Sequence, residues 1–149
     1  MSGGYHCCHR IAHRLGPGLW YRHHPDHIGL AGWLCEKYGT EMICSRTAYL
    51  MAKMLSLDVH EKVSPSTELF WRQAGMSPEM LEEKLSSRPF NFGDGVSPLE
   101  KGFTRLSENE IITINGVDWT VRMGNGHAPE HATFWSNELN LVLAGDQVL

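Results

Sequence analysis

Hydrophobic positions change their period once along this chain. Between residues 30 and 85 apolar side chains recur every three or four positions, and between 111 and 121 every second one, the spacings of helices and of strands. Leu30, Ala31, Leu34 and Tyr38 share one helical face, and Gly39 is placed to end that helix. Glu41-Met42-Ile43-Cys44 reads as a short strand. A second amphipathic helix covers residues 47–57, with Leu50, Met51, Met54 and Leu55 expected inward as core filling. Ser64-Pro65 and Ser77-Pro78 each set a capping hydroxyl before a proline at the first helical position. They open helices over 64–75 and 77–85, with Leu69, Phe70 and Ala74 on the inner face of one and Met80, Leu81 and Leu85 on that of the other. Pro89, Gly93, Gly95 and Pro98 mark a loop over 88–98. Ile112 and Ile114, the Asn115-Gly116 turn, then Val117, Trp119 and Val121 predict a hairpin. Leu139 to Ala144 reads as a buried strand that delivers Asp146 at its end. Helices followed by strands predict an α/β chain, with sheets covered by helices.

Composition adds limits. A chain of 149 residues fits one domain, expected over residues 19–149 behind a poorly structured segment 1–18 broken by Gly3, Gly4, Gly16, Pro17 and Gly18. Leu19-Trp20-Tyr21 is the one apolar stretch at the front fit for a strand. Hydrophobic content of 42% with 20% charged residues is globular rather than disordered. The net charge of −4 weighs against a sequence-independent grip on nucleic acid. Cys35 and Cys44 sit in apolar surroundings and read as buried thiols, while Cys7 and Cys8, with His6 and His9, form only a compositional metal-binding tract. There is no apolar run of membrane-spanning length and no uninterrupted apolar leader, so a cytoplasmic protein without a membrane partner is expected.

The candidate chemistry lies in three places. His24-Pro25-Asp26-His27 puts three metal-capable side chains within four residues. On an extended backbone His24 and Asp26 would project to the same side. Two imidazoles with a carboxylate suit Zn²⁺ or a similar borderline cation, and this spacing lets one loop feed two neighbouring metal positions. Gly126-His127-Ala128-Pro129-Glu130-His131 holds a second pair of histidines, which the glycines before it and Pro129 within it assign to a loop rather than a helix. Gly145-Asp146 follows the last apolar run.

In this order, the three segments resemble the His-x-His-x-Asp-His, Gly-His-x-x-x-His and Gly-Asp motifs of the metallo-β-lactamase-fold hydrolases, over roughly residues 23–149. The glyoxalase II-like branch is nearest in character. The resemblance implies part of an αββα sandwich, with mixed sheets covered by helices. It implies a metal-activated water that cleaves an ester, thioester or related bond of a small molecule, with one or two Zn²⁺ ions, or Fe or Mn in their place. His24 and His127 would serve one metal position, Asp26 and His27 the other, and Asp146 would bridge them. Asp26 would also orient the water or take up its proton, and His131 would donate to a ligand or to substrate. Phe70 and Trp71 are expected to pack in the core, with the lining of a substrate pocket, which the family shapes hereabouts, as the alternative.

Two departures accompany the resemblance. Arg22 falls where the family has its first histidine, and the family's last histidine would lie past Leu149. A guanidinium has no lone pair to offer and would repel a cation beside it; a one-residue bulge would bring His23 round instead. The expectation is a chain truncated at both ends, with weak or single-metal occupancy and strand edges open to self-association. Two alternatives stay open: a catalytically impaired remnant that binds a partner or nothing, and a nuclease of the same fold.

Overall fold

Parallel strands need a long crossover between them, and the chain supplies two. The structure is a computed structural model that describes residues 18–20 and 22–147. The expectations for residues 1–17, including Cys7, Cys8 and the histidines beside them, lie outside the described residues, as does Tyr21. Strand β1 (Gly18–Leu19) pairs in parallel with β2 (Met42–Cys44), which pairs in parallel with β3 (Thr104–Arg105). Helices α1 (Pro25–Ile28) and α2 (Ala31–Tyr38) fill the first crossover. The second carries α3 (Arg46–Leu57), α4 (Pro65–Gln73) and α5 (Pro78–Ser86). An antiparallel meander follows, in the order β4 (Ile111–Ile114), β5 (Val117–Gly124), β6 (His131–Ser136) and β7 (Leu141–Leu143). The mixed α/β class is therefore as expected. No helix among the described residues is long and apolar enough to cross a membrane.

Strand β2 joins the two cores. Its side chains alternate, so Met42 and Cys44 enter a cluster with Trp20, Ile28, Ala31, Leu34, Cys35 and Tyr49. Ile43 instead packs on the cluster of Leu106, Trp119, Val121, Ala132 and Phe134 in the meander. Cys35 and Cys44 are buried free thiols, as read from the sequence, and burial pushes Cys44 up to about 12. The hairpin is also as predicted: Asn115 and Gly116 hold φ of 52° and 79°, the left-handed pair that a two-residue connection between twisted strands requires. At Gly32, an added Cβ would lie 1.7 Å from the Pro98 carbonyl oxygen. Helix α2 therefore lies directly on the 95–99 loop, where Ser97 donates from its backbone and its hydroxyl to the Gly29 carbonyl (2.7 and 2.8 Å).

Four expectations are corrected. On α3 the buried residues are Ala48, Tyr49 and Ala52, whereas Leu50 and Met54 are 55% and 54% exposed. The small side chains let the helix approach the core, and Tyr49 is anchored by its hydroxyl donating to the Glu100 carbonyl (2.7 Å) and by stacking on Phe103. Helix α4 buries none of its side chains, and Leu69 and Phe70 face outward. Helix α5 buries only Leu81; the two helices pack against each other as an outer layer. Lastly, the expected buried strand over 139–144 shortens to β7 at the sheet edge, with Leu141 and Val142 exposed and only Leu143 packed inward. Asn140, with φ of 49°, sits in the turn ahead of it.

Candidate metal centre

Residues 22–28 leave β1 and enter α1. His24 is the N-cap of that helix, with φ −65° and ψ 144°, and its carbonyl accepts from the backbone of His27 and Ile28 (both 2.9 Å). Pro25 at the first helical position fixes the turn. Asp26 and His27 thus belong to a helical turn, which corrects the expectation of a strand with His24 and Asp26 side by side. The helix start is capped through the backbone, and the His24 imidazole makes no capping bond.

The second contribution comes from the meander. Gly124 pairs with His131 at the end of the β5–β6 ladder, so residues 125–130 project as a loop that presents His127. Two bonds fold this loop. Glu130 donates its backbone N–H to Asn125 Oδ1 (2.9 Å) and accepts from the Thr47 backbone at the start of α3 (3.0 Å). Glu130 holds φ of 46°, unusual for a residue with a side chain. The third contribution is the 3₁₀ turn Gly145–Gln147 after β7, which carries Asp146. Its Gln147 side chain lies where a Cβ on Gly124 would intrude, at 2.6 Å. The absence of a side chain at Gly124 therefore lets this turn close on the loop.

The three stretches converge. His24 Nδ1 and His127 Nε2 are 3.3 Å apart, and His127 Nε2 is 3.9 Å from Asp146 Oδ2. His27 Nε2 is 2.9 Å from Asp26 Oδ2 and 3.8 Å from Asp146 Oδ1. Asp26, His27 and Asp146 offer ligand atoms that all lie within 4.8 Å of one another. Between the two carboxylates stands Arg22, 1% exposed, with Nη2 2.6 Å from Asp146 Oδ2 and 3.1 Å from Asp26 Oδ2. His131 is fully buried at the start of β6. His23 is buried too, its ring in T-shaped contact with that of His24.

Electrostatics set the protonation of this cluster. Burial, followed by the charge of Arg22, lowers the pKa of His24 and His27, and burial with Arg22 pushes His131 down to about 4. For Asp146 burial opposes ionisation, but the charge and hydrogen bond of Arg22 override it and hold the carboxyl below its ordinary range. The lowered values favour the neutral imidazole at His24, His27 and His131 and the charged carboxylate at Asp146, the forms a cation needs.

A divalent cation fits part of this donor set. Metal–nitrogen bonds of about 2.0–2.1 Å in a tetrahedron put neighbouring ligand atoms about 3.3–3.4 Å apart. The 3.3 Å between His24 and His127 matches that edge, so this imidazole pair suits one cation. The position flanked by Asp26 and His27 shares its carboxylates with Arg22.

A model of the metallo-beta-lactamase superfamily matches residues 23–149. The chain belongs to that superfamily. Its members are usually hydrolytic metalloenzymes and typically bind divalent metals such as zinc. A beta-lactamase domain protein from Burkholderia ambifaria is 27% identical, with a TM-score of 0.72 over 90% of this chain and 37% of its own. A metallo-beta-lactamase family protein from Thermus thermophilus is 25% identical, with a TM-score of 0.63 over 88% of this chain and 40% of its own. The chain thus spans about two fifths of the length of these solved relatives. No curated protein matches it.

Sequence reasoning named every side chain of the cluster. It missed that Arg22 holds the two carboxylates together, although its spacing of four from Asp26 is that of a helical ion pair. The tie between Glu130 and α3 spans 83 residues and leaves no local signal.

Proposed function

We propose that this metallo-beta-lactamase superfamily chain is a metal-dependent hydrolase unit that cleaves an ester, thioester or related bond of a small molecule. The glyoxalase II-like branch is the nearest model, and residues 19–149 act as one domain. The observation that supports this reading is the meeting of His24, His127 and Asp146 from three separate stretches. His24 and His127 would hold the cation, with Asp146 beside it. A divalent cation there supplies Lewis acidity, lowering the pKa of water towards neutrality and polarising the bond under attack. Zn²⁺ suits the imidazoles, and Fe or Mn suits the same mixed set.

The remaining roles follow from position. Asp26 is 65% exposed at the mouth of the cluster, where it can meet an entering water and take its proton. His27, 2.9 Å from Asp26, steadies that carboxylate. His131, kept neutral by burial, backs the loop that presents His127. A second reading, a remnant without turnover, is favoured by one observation: Arg22 already occupies carboxylate oxygens that a cation would use.

Metal content separates the two. The purified chain should carry close to one equivalent of zinc, iron or manganese by mass spectrometry, and His127→Ala should lose most of it. The loaded chain should then hydrolyse a thioester faster than the variant does. Metal in the chain no higher than in His127→Ala would overturn the hydrolase reading and leave the remnant.

A further inference from the structure

Strand β4 forms one edge of the meander, and its pairing with β5 decides which of its backbone groups point away. In an antiparallel ladder, pairs that exchange both hydrogen bonds alternate with pairs that exchange none. A two-residue connection is closed by an exchanging pair, here Ile114 with Val117, so the next is Ile112 with Trp119. Ile111 and Thr113 therefore turn their N–H and C=O groups outward. On β5 the run Val117, Trp119 and Val121 keeps facing β4, and the Val121 N–H donates to the Glu110 carbonyl (2.8 Å).

No other backbone among the described residues bonds the outward groups of Ile111 and Thr113. Ile111 is 64% exposed, and Thr113 is exposed as well. Proteins guard such an edge with a charge, a proline or a bulge. Within Ile111-Ile112-Thr113-Ile114 there is none of these. The opposite edge differs. By the same alternation Phe134 and Ser136 bond Leu143 and Leu141, so on β7 only Val142 turns its backbone outward.

The four outward groups of β4 are complementary to themselves. An antiparallel copy about a twofold axis through Ile112 sets Ile111 against the partner's Thr113 and Thr113 against the partner's Ile111, and every outward group finds its bond. The side chains agree with this register. Ile112 meets the partner's Ile112 on the inner face, and the β-branched pair Ile111 and Thr113 meets on the outer face. Glu110 falls opposite the partner's Ile114, so no two carboxylates are set against each other.

We propose that the β4 edge is a self-association surface, at which two copies of this chain pair antiparallel through residues 111–113 and join their four-stranded meanders into one sheet. The proposal does not depend on the metal reading.

Sedimentation equilibrium of the full chain tests it. A contact this short belongs to the weak, transient class, so concentration is varied from about 1 μM to about 1 mM. The mean mass should climb from 16.8 kDa towards twice that value and level off, because the twofold pairing uses up the edge. Thr113→Pro removes an outward N–H from each copy and none of the bonds to β5, which edge strands accept. It should weaken the dimer about tenfold or more. Ile111→Lys sets a guarding charge on the edge and should do the same. Both variants should keep the circular dichroism spectrum of the wild type, and Val142→Lys, on the opposite edge, should leave association unchanged. A wild type that stays at 16.8 kDa, or whose mass passes the dimer value, overturns the proposal. So does a dimer that survives Ile111→Lys or is lost in Val142→Lys. Should Thr113→Pro fail to fold, Ile111→Lys decides alone.

Discussion

A buried imidazole that stays neutral is ready for a metal but costs stability in acid. His131 is the clearest case, fully buried and with its pKa pushed down to about 4. An unfolded histidine binds its proton near pH 6.5, so below that pH the unfolded chain takes up a proton that the folded chain refuses. Stability therefore falls as pH drops from about 6.5 towards 4, by up to about 3 kcal/mol from this residue alone. Urea melts at pH 7 and pH 5 should show the loss in the wild type, with a smaller loss in His131→Gln. An equal pH dependence in both would place the effect elsewhere. Arg22 teaches the opposite lesson about single residues. Its sequence position marks it as a misfit among ligands, and only its two carboxylate contacts reveal what its charge is for.

Among the elements, legibility tracked how local the signal was. The Ser-Pro helix starts were readable because the cap and the proline act within one turn: Ser64 and Ser77 accept from the backbone of Thr67 and Met80 as their spacing implies. The Asn115-Gly116 hairpin was readable for the same reason. Burial was not. The apolar stripe of α3 points at Leu50 and Met54, yet the helix packs through Ala48, Tyr49 and Ala52, because small side chains allow the closest approach. Strand β3, two residues long, has no pattern to read. These differences predict contrasting mutants. Gly32→Ala should lose at least about 2 kcal/mol, since overpacking here forces apart two backbones. Leu50→Ser and Met54→Gln should change stability by no more than about 0.5 kcal/mol, as exposed positions do. Chemical denaturation of the three variants checks this, and a large loss at Leu50 would restore the inward face that the sequence pattern implies.

For the whole molecule, motif order proved more informative than any one motif. His24-Pro25-Asp26-His27, His127 and Asp146 lie more than a hundred residues apart at the extremes, and no local rule brings them together. The parallel sheet carries the first at the exit of β1, and the meander carries the others at the β5–β6 loop and after β7. Strand β2 packs on both cores, through Met42 and Cys44 on one and Ile43 on the other. The shape of a substrate pocket was not legible, because Phe70 lies on an exposed helix face and not in the core. The most direct measurement is a crystal of the zinc-loaded chain with anomalous scattering recorded at the zinc edge. The account predicts one strong peak within about 2.0–2.1 Å of His24 Nδ1 and His127 Nε2, with Arg22 still bonded to Asp26 and Asp146. A peak seated instead between Asp26 and His27, or no peak beside the His24–His127 pair, would contradict it.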